Sequence, residues 1–88
     1  MHSYRNLEFS DDFLSDFGRL NPSERRLILK ALQYLDSDER RPSLAAHALH
    51  GDLTGKWTAY ASANLRVVYE RLEAGRKGLV GCSRHYER

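Results

Sequence analysis

The side chains of this sequence best suited to chemistry on a phosphodiester are His47, His50, His85, Arg66, Arg84, Tyr60 and Tyr86, and all of them fall in its second half. Cutting RNA without a metal needs a base to take the 2′-hydroxyl proton, cationic donors for the negative charge that builds on phosphorus, and an acid for the departing 5′-oxygen. Imidazole, guanidinium and phenol can fill those roles. Taken singly, each residue has an ordinary reading, a strand arginine as surface charge and a histidine as a satisfied polar group. The inference therefore rests on their concentration.

Other chemistries find less to work with. His47 and His50 lie three apart, which suggests a metal pair, but zinc takes three or four ligands and Cys82 or His85 would have to come from another strand. A Cys82–His85 nucleophilic pair is weaker still. No carboxylate pair, glycine-rich phosphate loop or serine elbow is present. The metal-free route predicts no cofactor. Cys82, as the single cysteine, rules out an internal disulfide and reads as a core residue of a reducing compartment. The net charge of +2 is too small to identify a partner, but its division is uneven. Residues 1–39 hold five Lys or Arg against eight acids and residues 40–88 nine against four, or −3 and +5. The basic half is the half with the histidines.

Positioning these groups requires a folded scaffold. At 88 residues the chain suffices for one core, so a single domain over 1–88 is expected, and 41% hydrophobic content with aromatics throughout argues against disorder. No apolar run approaches the roughly 20 residues that span a bilayer, and no hydrophobic signal core follows Met1, so a cytoplasmic protein without membrane contact is expected.

Alternation from Tyr4 to Phe9 predicts a short first strand. Ser10 offers an N-cap to a helix with Asp11 and Asp12 in its first turn and Phe13, Leu14, Phe17 and Leu20 as its apolar stripe. Asn21, Pro22 and Glu24 spell a second helix start, followed by Leu27, Ile28, Ala31, Leu32 and Leu35 at helical spacing. After a polar break at Asp36–Pro42 the pattern turns to strands at Trp57–Ala61, Leu65–Arg71 and Gly78–Ser83, with turns near Ser62–Asn64 and Glu73–Gly75. Strands joined so tightly are antiparallel. The expected class is α+β, an N-terminal strand and a two-helix hairpin packed on a twisted antiparallel sheet in the order β-α-α-β-β-β.

Three segments carry a resemblance. Leu49-His50-Gly51-Asp52-Leu53-Thr54-Gly55-Lys56-Trp57, then Leu65-Arg66-Val67-Val68-Tyr69, then Cys82-Ser83-Arg84-His85-Tyr86 resemble, in that order, elements of the RelE/ParE toxin superfamily, nearest to its YoeB-type members. The resemblance covers essentially the whole chain. It implies that Arg66 binds and stabilises the scissile phosphate and that His85 and Tyr86 serve proton transfer and substrate positioning. Counting back from Leu53 puts His47 where YoeB-like toxins carry a glutamate base and YafQ-like toxins a histidine. An ordinary imidazole titrates near 6.5 and a glutamate near 4.3, so the exchange is chemically tolerable. His50, three residues away, is the competing base. Ala59 and Tyr60 stand where YoeB-like toxins are commonly basic, Tyr60 at the place of a functional histidine in YafQ-like toxins. His50, Lys56, Tyr60 and Arg84 are the candidate RNA contacts.

The resemblance implies a toxin of a type II toxin–antitoxin system, neutralised by a cognate antitoxin protein, that cuts mRNA in the ribosomal A site by attack of the 2′-hydroxyl. A ParE-like toxin that binds gyrase, or a catalytically inactive member, is the alternative on the same fold.

Overall fold

The computed structural model describes residues 4–84. Its elements follow the order β1 (Leu7–Phe9), α1 (Asp11–Gly18), α2 (Pro22–Ser37), β2 (His47–Ala48), β3 (Trp57–Ser62), β4 (Leu65–Arg71) and β5 (Lys77–Arg84). Single 3₁₀ turns lie at Pro42–Leu44, Gly51–Leu53 and Glu73–Gly75.

Both helices start where the sequence places their caps. Ser10 Oγ accepts from Phe13 N at 3.0 Å ahead of α1. At α2 the Asn21 side chain accepts from Glu24 N at 2.8 Å and Glu24 Oε1 accepts from Asn21 N at 3.0 Å, a reciprocal capping box with Pro22 in the first turn. Phe13, Leu20, Ile28, Ala31, Leu32 and Leu35 enter the core, whereas Leu14 and Leu27 stay 50% and 40% exposed at the edges of their stripes. The alternating Leu65, Val67 and Tyr69 of β4 meet these helices together with Ala59, Leu79 and Cys82. Truncating a fully buried residue such as Leu32 would cost about 2–5 kcal/mol.

The class is α+β as expected, but the sheet is mixed and has five strands in the order β1-β5-β4-β3-β2. The expected antiparallel pairings hold for β3, β4 and β5, while β1 lies parallel to β5, Leu7 opposite Lys77 and Phe9 opposite Leu79. Short turns force antiparallel neighbours only between consecutive strands. β1 is separated from β5 by most of the chain, so the rule does not reach it. β1 is also shorter than the expected Tyr4–Phe9, because the Arg5 and Asn6 amides donate to the Asp36 carboxylate at 3.2 and 2.7 Å rather than to a strand. The short β2 pairs with β3, His47 opposite Thr58 and Ala48 opposite Trp57.

Beyond α2 the chain is tied to the helix-covered face of the sheet through Glu39. Its Oε2 accepts from the Tyr69 hydroxyl at 2.5 Å and from Arg71 Nε at 3.0 Å, and the Arg71 guanidinium lies 3.5 Å from the centre of the Trp57 ring. Burial raises the Glu39 carboxyl, but the bonds from Arg71 and Tyr69 outweigh it and hold the group below the ordinary value. Burial, reinforced by that carboxylate, pushes the Tyr69 phenol upward. The chain from Asp38 to Leu44 is thereby fixed, and it leads directly into β2.

Candidate active site

Cross-strand partners project to the same face of a sheet, and neighbours along a strand to opposite faces. The core residues Ala59, Val67 and Tyr69 take the helix-covered face, so the register sends Lys56, Thr58 and Tyr60 of the β3 segment and Arg66, Val68 and Glu70 of β4 to the other, open one, where Thr58 alone is fully buried. His47, opposite Thr58, joins them. Tyr60 stands directly opposite Arg66, and Ser83 faces Arg66 from β5. The His47 and Tyr60 rings are 6.2 Å apart. Four of the expected site residues, His47, Lys56, Tyr60 and Arg66, thus share one surface.

Arg66 stands apart from the arginines paired with carboxylates, and also from Arg25 and Arg41, which lie over the Phe17 and Tyr34 rings. Arg19, Arg71, Arg76 and Arg84 are each paired with a carboxylate, Asp16, Glu39, Glu8 and Glu24 respectively. Arg66 has no ion pair among the described residues, and its Nε is buried without a hydrogen-bond partner. An unsatisfied buried donor on a charged group is costly, and such a group is poised to accept an anion.

His47 is held from behind. Its Nδ1 lies 2.9 Å from the carbonyl oxygen of Ala45. A carbonyl only accepts, so Nδ1 carries the hydrogen, and in the neutral ring the lone pair falls on Nε2. The carbonyl is presented by an unusual backbone, since Ala45 adopts φ +46°, in the left-handed region. With strands about 4.8 Å apart and a rise of about 3.4 Å per residue, the His47 and Arg66 backbones stand about 12 Å apart.

The other expected RNA contacts differ in their surroundings. Lys56 shares the open face, but its Nζ is 2.7 Å from Glu70 Oε2. His50 is exposed at the head of the Gly51–Leu53 turn, past the end of β2. Arg84, expected as an RNA contact, is turned to the helix-covered side, where its Nε and Nη2 each donate to Glu24 at 2.7 Å. That fork holds the Glu24 carboxyl below its ordinary value. Arg84 is two residues from the core residue Cys82 on the same strand, so alternation accounts for its direction. His85 and Tyr86 lie outside the described residues.

The metal alternative fares poorly on position. Cys82 is buried on the face away from His47, its thiol pushed up to about 12 by burial and by Asp16. Among the described residues, no three His, Cys, Asp or Glu side chains gather as a ligand set. The contribution of Ala45 was not readable in the sequence, because glycine or asparagine would signal a left-handed residue and alanine does not. No helix among the described residues is long and apolar enough to cross a membrane.

No protein-family model and no curated protein matches the sequence. Solved structures do match in fold. A YoeB/ParE toxin from Agrobacterium tumefaciens superposes with a TM-score of 0.75 at 21% identity, covering 93% of this chain and 100% of that one. The YoeB–YefM complex from Staphylococcus aureus gives 0.72 at 20% identity, with 96% and 100% covered. The DinJ–YafQ toxin–antitoxin complex of E. coli gives 0.72 at 15% identity, with 94% of each chain covered. The chain therefore has the fold of the YoeB- and YafQ-type toxins of the RelE/ParE superfamily.

Proposed function

We propose that this protein is the toxin of a toxin–antitoxin pair and acts as a metal-independent endoribonuclease on mRNA in the ribosomal A site. The observation that carries the reading is the partly buried Arg66, its Nε unpartnered, on one open face with a histidine whose Nδ1 is fixed by the Ala45 carbonyl. His47 Nε2 takes the proton of the 2′-hydroxyl. The freed oxygen attacks the adjacent phosphorus, and Arg66 balances the charge that gathers on the phosphoryl oxygens. The bond to the 5′-oxygen breaks as that oxygen is protonated, a role assigned by resemblance to His85 with Tyr86 beside it. The products are a 2′,3′-cyclic phosphate, which can open to the 3′-phosphate, and a 5′-hydroxyl. No cofactor enters. A ribosome-held strand supplies the in-line orientation that so shallow a surface cannot impose alone.

An antitoxin partner is part of the reading, because solved neighbours on this fold include complexes with antitoxins, and a cytoplasmic site of action follows from the substrate. The test is primer-extension mapping of transcripts after brief induction. Wild-type protein should give cuts phased to the reading frame, and the Arg66→Ala protein should give none. DNA damage linked to gyrase, without phased cuts, would replace this reading with a ParE-like one.

A further inference from the structure

A second concavity adjoins the candidate site. A cleft of about 260 Å³ opens between α2, the Pro42–Leu44 turn and β3, lined by Leu27, Lys30, Tyr34, Arg41, Ser43 and Tyr60 among others. Tyr60 belongs to both places, since its ring also stands 6.2 Å from that of His47. A shallower hollow beside it includes Ser43, Ala45 and Tyr60, so the surface continues past the residue whose carbonyl holds His47.

The charge in this cleft is single-signed. No carboxylate lines it, and neither Lys30 nor Arg41 has an ion pair among the described residues. Both are instead placed by one ring: the Arg41 guanidinium carbon is 3.7 Å and Lys30 Nζ 5.9 Å from the centre of Tyr34. A cation–π contact orients a cation without neutralising it. Two oriented, uncompensated cations beside the half-buried rings of Tyr34 and Tyr60 are the ingredients of a track for single-stranded nucleic acid.

We propose that this cleft binds the phosphate backbone of the RNA strand flanking the cut, with Lys30 and Arg41 as its phosphate contacts and Tyr60 as the stacking platform between cleft and cut. The proposal rests on the reading of His47 and Arg66 as the place of cleavage. The strand runs from the Arg66 face, over Tyr60 at the edge of the sheet, toward α2.

The test uses the full chain and single-stranded RNA made uncleavable by a 2′-deoxy sugar at the cut, as a short core and as versions lengthened on the 5′ or the 3′ side. Wild type should bind one lengthened version more tightly than the core. The Lys30→Gln/Arg41→Gln double variant should lose that gain, keep core binding, and show a salt slope lower by roughly 1.4, or about 0.7 for each lost contact. Exchanging the two residues, Lys30→Arg with Arg41→Lys, keeps the charges and should restore the gain. No gain on lengthening in wild type, or an equal gain in the double variant, overturns the cleft assignment. Binding of an acidic peptide through Lys30 and Arg41 without any gain on RNA would give the cleft to a protein partner and overturns it too. Core binding that survives Arg66→Ala strikes instead at the reading of the cleavage site, so the two failures are distinguishable.

Discussion

Arg66→Met separates what Arg66 does for the fold from the phosphate role proposed for it. Its side chain makes no hydrogen bond or ion pair among the described residues, and the Nε is buried without a partner. A buried unsatisfied donor costs about 1–3 kcal/mol, and methionine removes it while keeping an unbranched stem of similar length over the sheet. Arg66 is only partly buried and its remaining nitrogens reach solvent, so the lower end applies and the variant should be more stable by about 1 kcal/mol. For a domain of this size, each kcal/mol moves the melting temperature by about 4–8 °C. Losing a donor aimed at transition-state charge costs about 10²- to 10³-fold in rate, so growth arrest should disappear in the same protein. The assays are thermal unfolding followed by circular dichroism and growth after induction. A variant destabilised by more than about 1 kcal/mol would mean that Arg66 supports the structure, and a stable variant that still arrests growth would remove it from the chemistry.

His47→Gln should slow single-turnover cleavage about 10²- to 10⁴-fold and His50→Gln less than tenfold; the reverse order would move the base to His50. Glu39 binds its proton less readily when folded than when unfolded, so its contribution is present near neutrality and lost as pH falls through the folded value. Urea unfolding of Glu39→Gln should therefore show lower stability at pH 7 and a shallower decline toward acid, and curves parallel to wild type would count against the Glu39 network. The buried Cys82 thiol, raised to about 12, should resist alkylation at pH 8 until the chain unfolds in denaturant. Rapid labelling of the native protein would contradict its burial.

Local signals in the sequence mark an element where one face of it is buried and its ends carry caps or turns. β4 is the clearest case, because Leu65, Val67 and Tyr69 alternate with Arg66, Val68 and Glu70, and α2 follows because Asn21, Pro22 and Glu24 announce its start. β2 escaped, since two residues cannot show a period. The parallel partner of β1 escaped because alternation reports burial and says nothing of which distant strand lies alongside. At the site, residue types pointed to His47, Tyr60 and Arg66, but their common face follows from a register that only the folded sheet shows. Lys30 and Arg41 carried no signal at all, being ordinary surface cations until the fold sets them around Tyr34.

The strand order has a consequence for how the protein is made. β5 lies between β1 and β4 although it is the last described strand, and α1 packs chiefly against it. During synthesis the chain emerges from its amino end, so β1 waits through some seventy residues, from Leu7 to Lys77, for the only ladder partner it has among the described strands. Until Lys77–Arg84 has emerged, Phe13 and Leu7 have no Leu79 or Cys82 to pack on, and the Glu24 carboxylate has no Arg84 to grip. A nascent chain therefore holds His47 and Arg66 on an unfinished sheet until β5 is in place.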